Sequence, residues 1–204
     1  VTGGFQADFS RVLDDGTLLV GGIPGVGLST DAGCSFDFPA ELAGRHASSL
    51  AVAGGVMFTA TEDNTTPNGI WQSIDGGKQW TLARAPEDGL LIFELVASRD
   101  GTRLAASGLR ISGNVGVAVL VSTDGGITFD DVSPGYAGLT RVRAVTFDDD
   151  DTGLLLGGFG DPNDSAVEDV GFVFLDEPPY GAPAKLGAFP SEVRDVAVFN
   201  HNRY

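Results

Sequence analysis

Apolar and polar positions alternate in four short runs: DFSRVL at 8–13, SSLAVA at 48–53, FELVAS at 93–98 and RAVTFD at 143–148. A period of two over that length predicts a strand with its main apolar face turned to a core. Each run leads through a polar or glycine-rich break into a second apolar run: LDDGTLLVGG at 13–22, VAGGVMFTAT at 52–61, SRDGTRLAAS at 98–107 and DDDTGLLLGG at 149–158. Such breaks predict hairpins, and Asp-Gly is favoured there because both central residues take positive φ. Third strands follow in GIWQSI at 69–74, GVAVLVS at 116–122 and GFVFLD at 171–176, and KQWTLARA supplies a fourth. No stretch carries sustained helical periodicity with caps at both ends. The segment PAELAGRHASS at 39–49 reads as a connector with at most one helical turn.

Between the third and fourth strands the chain writes one octet three times: STDAGCSF at 29–36, SIDGGKQW at 73–80 and STDGGITF at 122–129. Asp31, Asp75 and Asp124 are spaced by 44 and 49 residues, and a further 52 residues reaches Asp176 in an eroded copy, FVFLDEPPYG. Four short strands per period, joined by tight turns, predict an all-β propeller of four-stranded antiparallel blades. The blades fall at about 5–42, 47–87, 92–135 and 142–189 of a single domain, and SEVRDVAVFN at 191–200 predicts one extra strand. Either that strand closes a small ring, or the chain is part of a larger propeller. The first blade already has an inner strand, which favours the second reading and leaves open blade edges for further blades or self-association.

The chain has 204 residues, 30 of them Gly, and 20% are charged. With 28 acidic and 12 basic residues its formal charge is −16, which repels nucleic acid and anionic membrane surfaces. No apolar run is long enough for a membrane-spanning helix, so no membrane insertion is expected. The chain starts at Val1 with no basic-then-apolar leader, so any signal segment is expected to have been removed. The single Cys34 cannot form an internal disulfide.

Within each octet, Ser and Asp can accept hydrogen bonds from the N–H groups of the turn they begin, Gly supplies positive φ, and the aromatic anchors the hairpin. Ser29, Asp31, Gly33, Phe36, Ser73, Asp75, Gly77, Trp80, Ser122, Asp124, Gly126 and Phe129 are therefore expected to be structural. The pattern resembles the Asp-box, or bacterial neuraminidase repeat. The resemblance implies turns at the blade periphery, and it spans groups of differing activity: sialidases, xyloglucan-cleaving glycoside hydrolases, sortilin-type receptor ectodomains and photosystem II assembly factors of the Ycf48 type.

A sialidase-like site would need an arginine cluster, a Tyr nucleophile and an Arg-Ile-Pro signature. Here Ile23 and Pro24 follow Gly22, and Arg110 and Ile111 lack a following Pro. Arg11, Arg141, Arg143 and Arg194 lie on or beside inner strands, where solvated or paired arginines are the common outcome. A xyloglucanase-like site would need two facing carboxylates. Asp100 and Asp148 to Asp151 crowd the hairpin turns, with no pair standing out. The runs FDDDDTG at 147–153 and GDPNDSAVED at 160–169 carry oxygens that would suit Ca²⁺, but they match no EF-hand, so no cofactor or metal is assigned. His46 and His201 make no zinc spacing with Cys34. Trp71 and Trp80 read as packing aromatics, and NTT at 64–66 and NDS at 163–165, both in predicted loops, match a glycosylation-acceptor pattern short enough to recur by chance. The expected function is a non-catalytic interaction module, exported or at the cell surface, binding a protein or a glycan. The alternative is a glycoside hydrolase, sialidase-like or xyloglucanase-like, whose catalytic residues lie partly outside this chain.

Overall fold

The computed structural model describes residues 6–63, 68–113, 115–136, 139–148, 150–159 and 171–197. The sequons at 64–66 and 163–165, the loop at 160–169, Asp149 and His201 lie outside them. The first sheet holds β1 (Gln6–Val12), β2 (Leu18–Ile23) and β3 (Gly25–Ser29); the second β4 (Ala47–Ala53), β5 (Val56–Thr61), β6 (Asn68–Ser73) and β7 (Thr81–Glu87). The third holds β8 (Leu90–Ala97), β9 (Leu104–Arg110), β10 (Gly116–Ser122) and β11 (Asp130–Asp131), and the fourth β12 (Arg141–Phe147), β13 (Leu154–Phe159), β14 (Gly171–Asp176) and β15 (Ala184–Phe189). Strands neighbour in chain order within every sheet. All pairings are antiparallel, and a 3₁₀ turn at Ser133–Tyr136 is the single helical piece among the described residues.

The sheets pack face to face because their middle strands are apolar on both sides. In β13, Leu154 and Leu156 join Val117, Val119 and Val121 of β10 in one core. Phe58 and Ile70 meet Leu104, Ala106 and Leu120 in the next, and Leu19 and Val26 meet Met57, Trp71 and Trp80 in the third. Each interface between successive blades thus has its own core, as expected of stacked repeats.

Several expectations need correction. The fourth strand of the first blade shrinks to one bridge, Leu28 to Asp37, and that of the third blade to two residues. Inner strands β4, β8 and β12 are half-buried or buried, but β1 is exposed along most of its length, since no described blade covers its outer face. The described part of the extra strand, 191–197, forms no ladder. Val193 lies against Gly157 of β13, and among the described residues no strand pairs with it. Of the described turns between first and second strands, the Gly54-Gly55 hairpin has positive φ at both central residues (57° and 84°). The hairpins at 13–17 and 98–103 have a single such residue, Gly16 or Gly101, the pattern of a type I turn followed by a left-handed residue.

Candidate functional site

The three octet turns are built alike and share one end of the molecule with the hairpins. Ser29, Ser73 and Ser122 end the third strands, paired with Leu18, Met57 and Leu104. Each serine hydroxyl donates to the octet aspartate (2.7, 2.8 and 2.8 Å) and accepts the N–H of Gly33, Gly77 or Gly126 (2.8, 2.9 and 2.8 Å). Each aspartate then accepts an N–H four residues on, from Ser35, Gln79 or Thr128. The Ser35 and Thr128 hydroxyls add a second bond and are the largest cause holding the Asp31 and Asp124 carboxyls down at about 2. Asp75, with Gln79 N–H as its main donor, is also held below the usual range. Trp80 is buried and donates its ring N–H to Gly77 O (2.8 Å), whereas Phe36 and Phe129 are half-buried.

The fourth copy differs in register. Asp176 pairs with Leu154, which puts it in the slot of the octet serines and not in that of the aspartates. It is fully buried, accepts the N–H groups of Gly181 (2.7 Å) and Ala182 (3.1 Å), and takes a hydrogen bond from the buried Tyr136 hydroxyl. A single carboxylate from the serine slot reaches across a longer turn and does the work of both residues.

At the opposite end the inner strands converge, and each carries a β-bulge at one equivalent position. The extra residues are Asp8, Ser48, Phe93 and Arg143, facing Gly22/Gly21, Thr61/Ala60, Gly108/Ser107 and Gly158/Gly157. A bulge re-aims one side chain and is over-represented next to functional sites. Asp8 pairs with His46 just before β4, and Ser48 Oγ donates to Ile92 O of β8 at 2.6 Å. Arg143 lies 4.8 Å from the Phe93 ring centroid. Beside the bulge, Glu94 accepts the N–H of Val145 in β12 at 2.7 Å. Burial raises the Glu94 carboxyl to about 7, with Asp195 adding to the rise and the Val145 N–H opposing it. These groups border an open cleft of about 500 Å³ lined by Phe9, Ser48, Phe93, Glu94, Arg143 and Asp195 among others.

Three of the four arginines singled out above meet here on one carboxylate. Arg143 Nε and Arg194 Nε each donate to Glu192 at 3.0 Å, and Arg141 Nη1 at 3.4 Å. Burial alone would raise the Glu192 carboxyl, but the arginines outweigh it and leave it below its ordinary range. Arg11 stands apart on exposed β1. Arg110 is buried at the rim of the third blade, tied to Glu87 (2.6 Å), Asp131 (2.8 Å) and Ser133 (3.0 Å), a network that no letter pattern announced. Asp100 and Asp150 cap their own hairpins through Thr102 and Thr152, and Trp71 lies under Arg45. Cys34 is exposed, and no cluster of three metal-ligating side chains occurs among the described residues.

Antiparallel blades in chain order, with inner strands meeting at a common cleft, define a β-propeller. Solved structures agree on that class. An ancestral GH74 enzyme is similar over 91% of this chain and 26% of its own, at 15% identity and a TM-score of 0.67. Hydrazine synthase of Kuenenia stuttgartiensis matches 89% of this chain and 53% of its own at 14% identity (TM-score 0.62). The extracellular domain of a hybrid two-component system from B. thetaiotaomicron matches 93% and 23% at 13% identity (TM-score 0.62). The chain thus spans 23% to 53% of the length of these structures, and at such identities the likeness speaks for the fold alone. Neither a protein-family model nor a curated protein matches the sequence.

Proposed function

We propose that the chain is part of an exported or cell-surface Asp-box propeller that binds a protein or carbohydrate partner at the axial cleft without catalysis. The octets act as Asp-boxes, holding the far end of the first three blades. One observation carries the reading: the bulge recurs in every blade, yet its residue is Asp, Ser, Phe and Arg in turn. Packing positions keep their apolar character from blade to blade, so a bulge retained around four unlike side chains serves presentation more than packing. Glu94 of the cleft wall is tied to Val145 N–H, and nearby Asp8 and Glu192 are held by His46 and by three arginines, so most carboxylates at this end are committed, which counts against catalysis. Retention on a glycan array and co-purification of a protein partner test the reading, each repeated with Phe93→Ala. Retention that Phe93→Ala abolishes supports it; retention that survives the change places the partner elsewhere.

The glycoside hydrolase alternative has one observation in its favour. Glu94, raised to about 7 beside Asp195, offers a carboxylic acid next to a carboxylate near neutral pH. Turnover of xyloglucan or of a sialoside, lost in Glu94→Gln, would replace the binding reading with this one.

A further inference from the structure

Opposite the axial cleft, at the octet end, the first and second blades enclose a groove of about 420 Å³. Its origin is a single proline. Leu28 and Asp37 exchange both backbone hydrogen bonds (2.9 and 2.8 Å), and the next rung of that ladder would need an N–H from residue 39. Pro39 has none, so the first blade's fourth strand stops there, whereas the second blade continues through β7. Space is left between Leu28, Phe38 and Pro39 on one side and Asp75, Gly76 and Lys78 of the second octet on the other. Both walls are packed against β3: an added Cβ at Gly77 would come 3.3 Å from Leu28 Cδ2, and one at Gly27 would come 3.0 Å from the Phe38 ring.

The lining combines apolar surface with unbalanced charge. Leu28 is buried and Phe38 and Pro39 are half-buried, while the carboxylates of Asp15, Asp37 and Asp75 stand exposed against one ammonium, that of Lys78. Three negative charges against one positive leave a net of −2, in a chain whose formal charge is −16. Asp15 and Asp75 keep their charge, because turn N–H groups, those of Thr17 and Gln79 foremost, hold both carboxyls below the usual range. Asp37 differs from them: among the described residues its carboxylate takes no hydrogen bond or ion pair, and only its backbone serves the fold. No three ligating side chains converge on a point among the described residues, so the groove does not suit a metal ion. An arginine side chain suits it well: its methylene stem covers apolar surface, and its planar, weakly hydrated head pairs with carboxylates and stacks on an aromatic face. We infer that the groove is a second docking site, taking an arginine of a partner protein segment with an apolar residue beside it. The site is separate from the axial cleft and stands whether or not that cleft binds a partner.

A random heptapeptide library displayed on phage and selected on the parent chain tests this. Selected peptides are expected to carry arginine next to an apolar residue well above its frequency in the library. The best of them, made as a labelled free peptide, is then titrated by fluorescence anisotropy against the parent and three variants. Asp37→Asn removes charge from a side chain that the fold does not use, and is expected to weaken binding about threefold, the scale of one exposed ion pair. Lys78→Ala removes the opposing charge, keeps the backbone N–H that Asp75 accepts, and is expected to tighten binding about threefold. Glu177→Gln removes an exposed acid of the fourth blade outside the groove and is expected to leave binding unchanged. The inference is overturned if the selected peptides are not enriched in arginine, or if Asp37→Asn leaves their binding intact. Equal weakening by Asp37→Asn and Glu177→Gln overturns it too, as attraction to the net charge of the chain. Arginine peptides lost with Phe93→Ala but not with Asp37→Asn would sit in the axial cleft, which overturns the groove and supports the cleft.

Discussion

At the scale of single residues, the octet serine carries more than its size suggests. Ser122 is 1% exposed, and its hydroxyl both orients Asp124 and satisfies the Gly126 N–H. Ser122→Ala leaves that N–H unpaired in a buried turn and is expected to cost about 1–3 kcal/mol in urea unfolding; a change near zero would show that the turn does not depend on it. The ionisable groups give opposite pH signatures. Asp31 and Asp124 have native pKa values of about 2 against an ordinary 3.8, so the stability they contribute is complete above pH 3.8 and is lost as pH falls toward 2. Glu94 runs the other way: with 4.5 as its ordinary value and about 7 in the fold, the native state holds the extra proton between those pH values. Stability therefore falls as pH rises from 4.5 to 7, by on the order of 3 kcal/mol for this group, and Glu94→Gln should flatten that slope. Unfolding free energies measured across pH 4 to 8 in both proteins decide the point; parallel curves would refute it.

At the scale of elements, the turns explain which parts of the fold were legible. Three octets and four alternating runs could be read as letters, because Asp, Gly and apolar period are local requirements of a hairpin. The fourth turn misled, since aligning Asp176 with Asp124 by spacing ignores the ladder, and the ladder places Asp176 opposite Leu154 in the serine slot. Its compensation comes from the third blade: Tyr136 is buried against Asp176, and nothing in the letters links residues 40 apart. Tyr136→Phe removes a donor from a buried carboxylate, with an expected loss of about 1.5–3 kcal/mol, checked by thermal unfolding. The octet glycines also differ in role. Gly125 and Gly126 both have positive φ (71° and 90°), but a Cβ on Gly126 would stand 2.5 Å from the Phe58 ring, and one on Gly125 would meet only Gly101 O at 3.8 Å. Gly126→Ala should therefore cost more than Gly125→Ala by about 1–3 kcal/mol, since overpacking adds to a shared backbone strain. Equal costs would mean that Phe58 moves aside freely. The bulges were illegible for a related reason. The four runs begin on Asp8, Ser48, Phe93 and Arg143, so the letters aligned the right positions, but an extra residue in a ladder shows only when the partner strand is known.

At the scale of the whole molecule, three interblade cores replace one central core, and stability should be distributed accordingly. Leu19, Phe58 and Leu155 are equivalent in register and turn toward the following blade; Leu18, Met57, Leu104 and Leu154 turn toward the preceding one. Leu18 and Leu155 therefore belong to the faces that no described blade covers, and both are half-buried where their counterparts Met57, Leu104 and Phe58 are buried. Sequence supplied the repeat but not this polarity, because an apolar residue on either side of a middle strand looks the same in a string. The consequence is directional. Leu154→Ala empties the core shared by the third and fourth blades, at about 2–5 kcal/mol for a fully buried leucine. In a chain whose repeats contact only their neighbours, that loss should stay local. Hydrogen exchange is expected to accelerate in β12, β13 and β14 and to leave β4, β5 and β6 near their parent rates. Uniform acceleration across all four sheets would instead mean that the blades unfold as one cooperative unit, and that the axial ties from Ser48 to Ile92 and from Glu94 to Val145 couple the interfaces more strongly than their separate cores suggest.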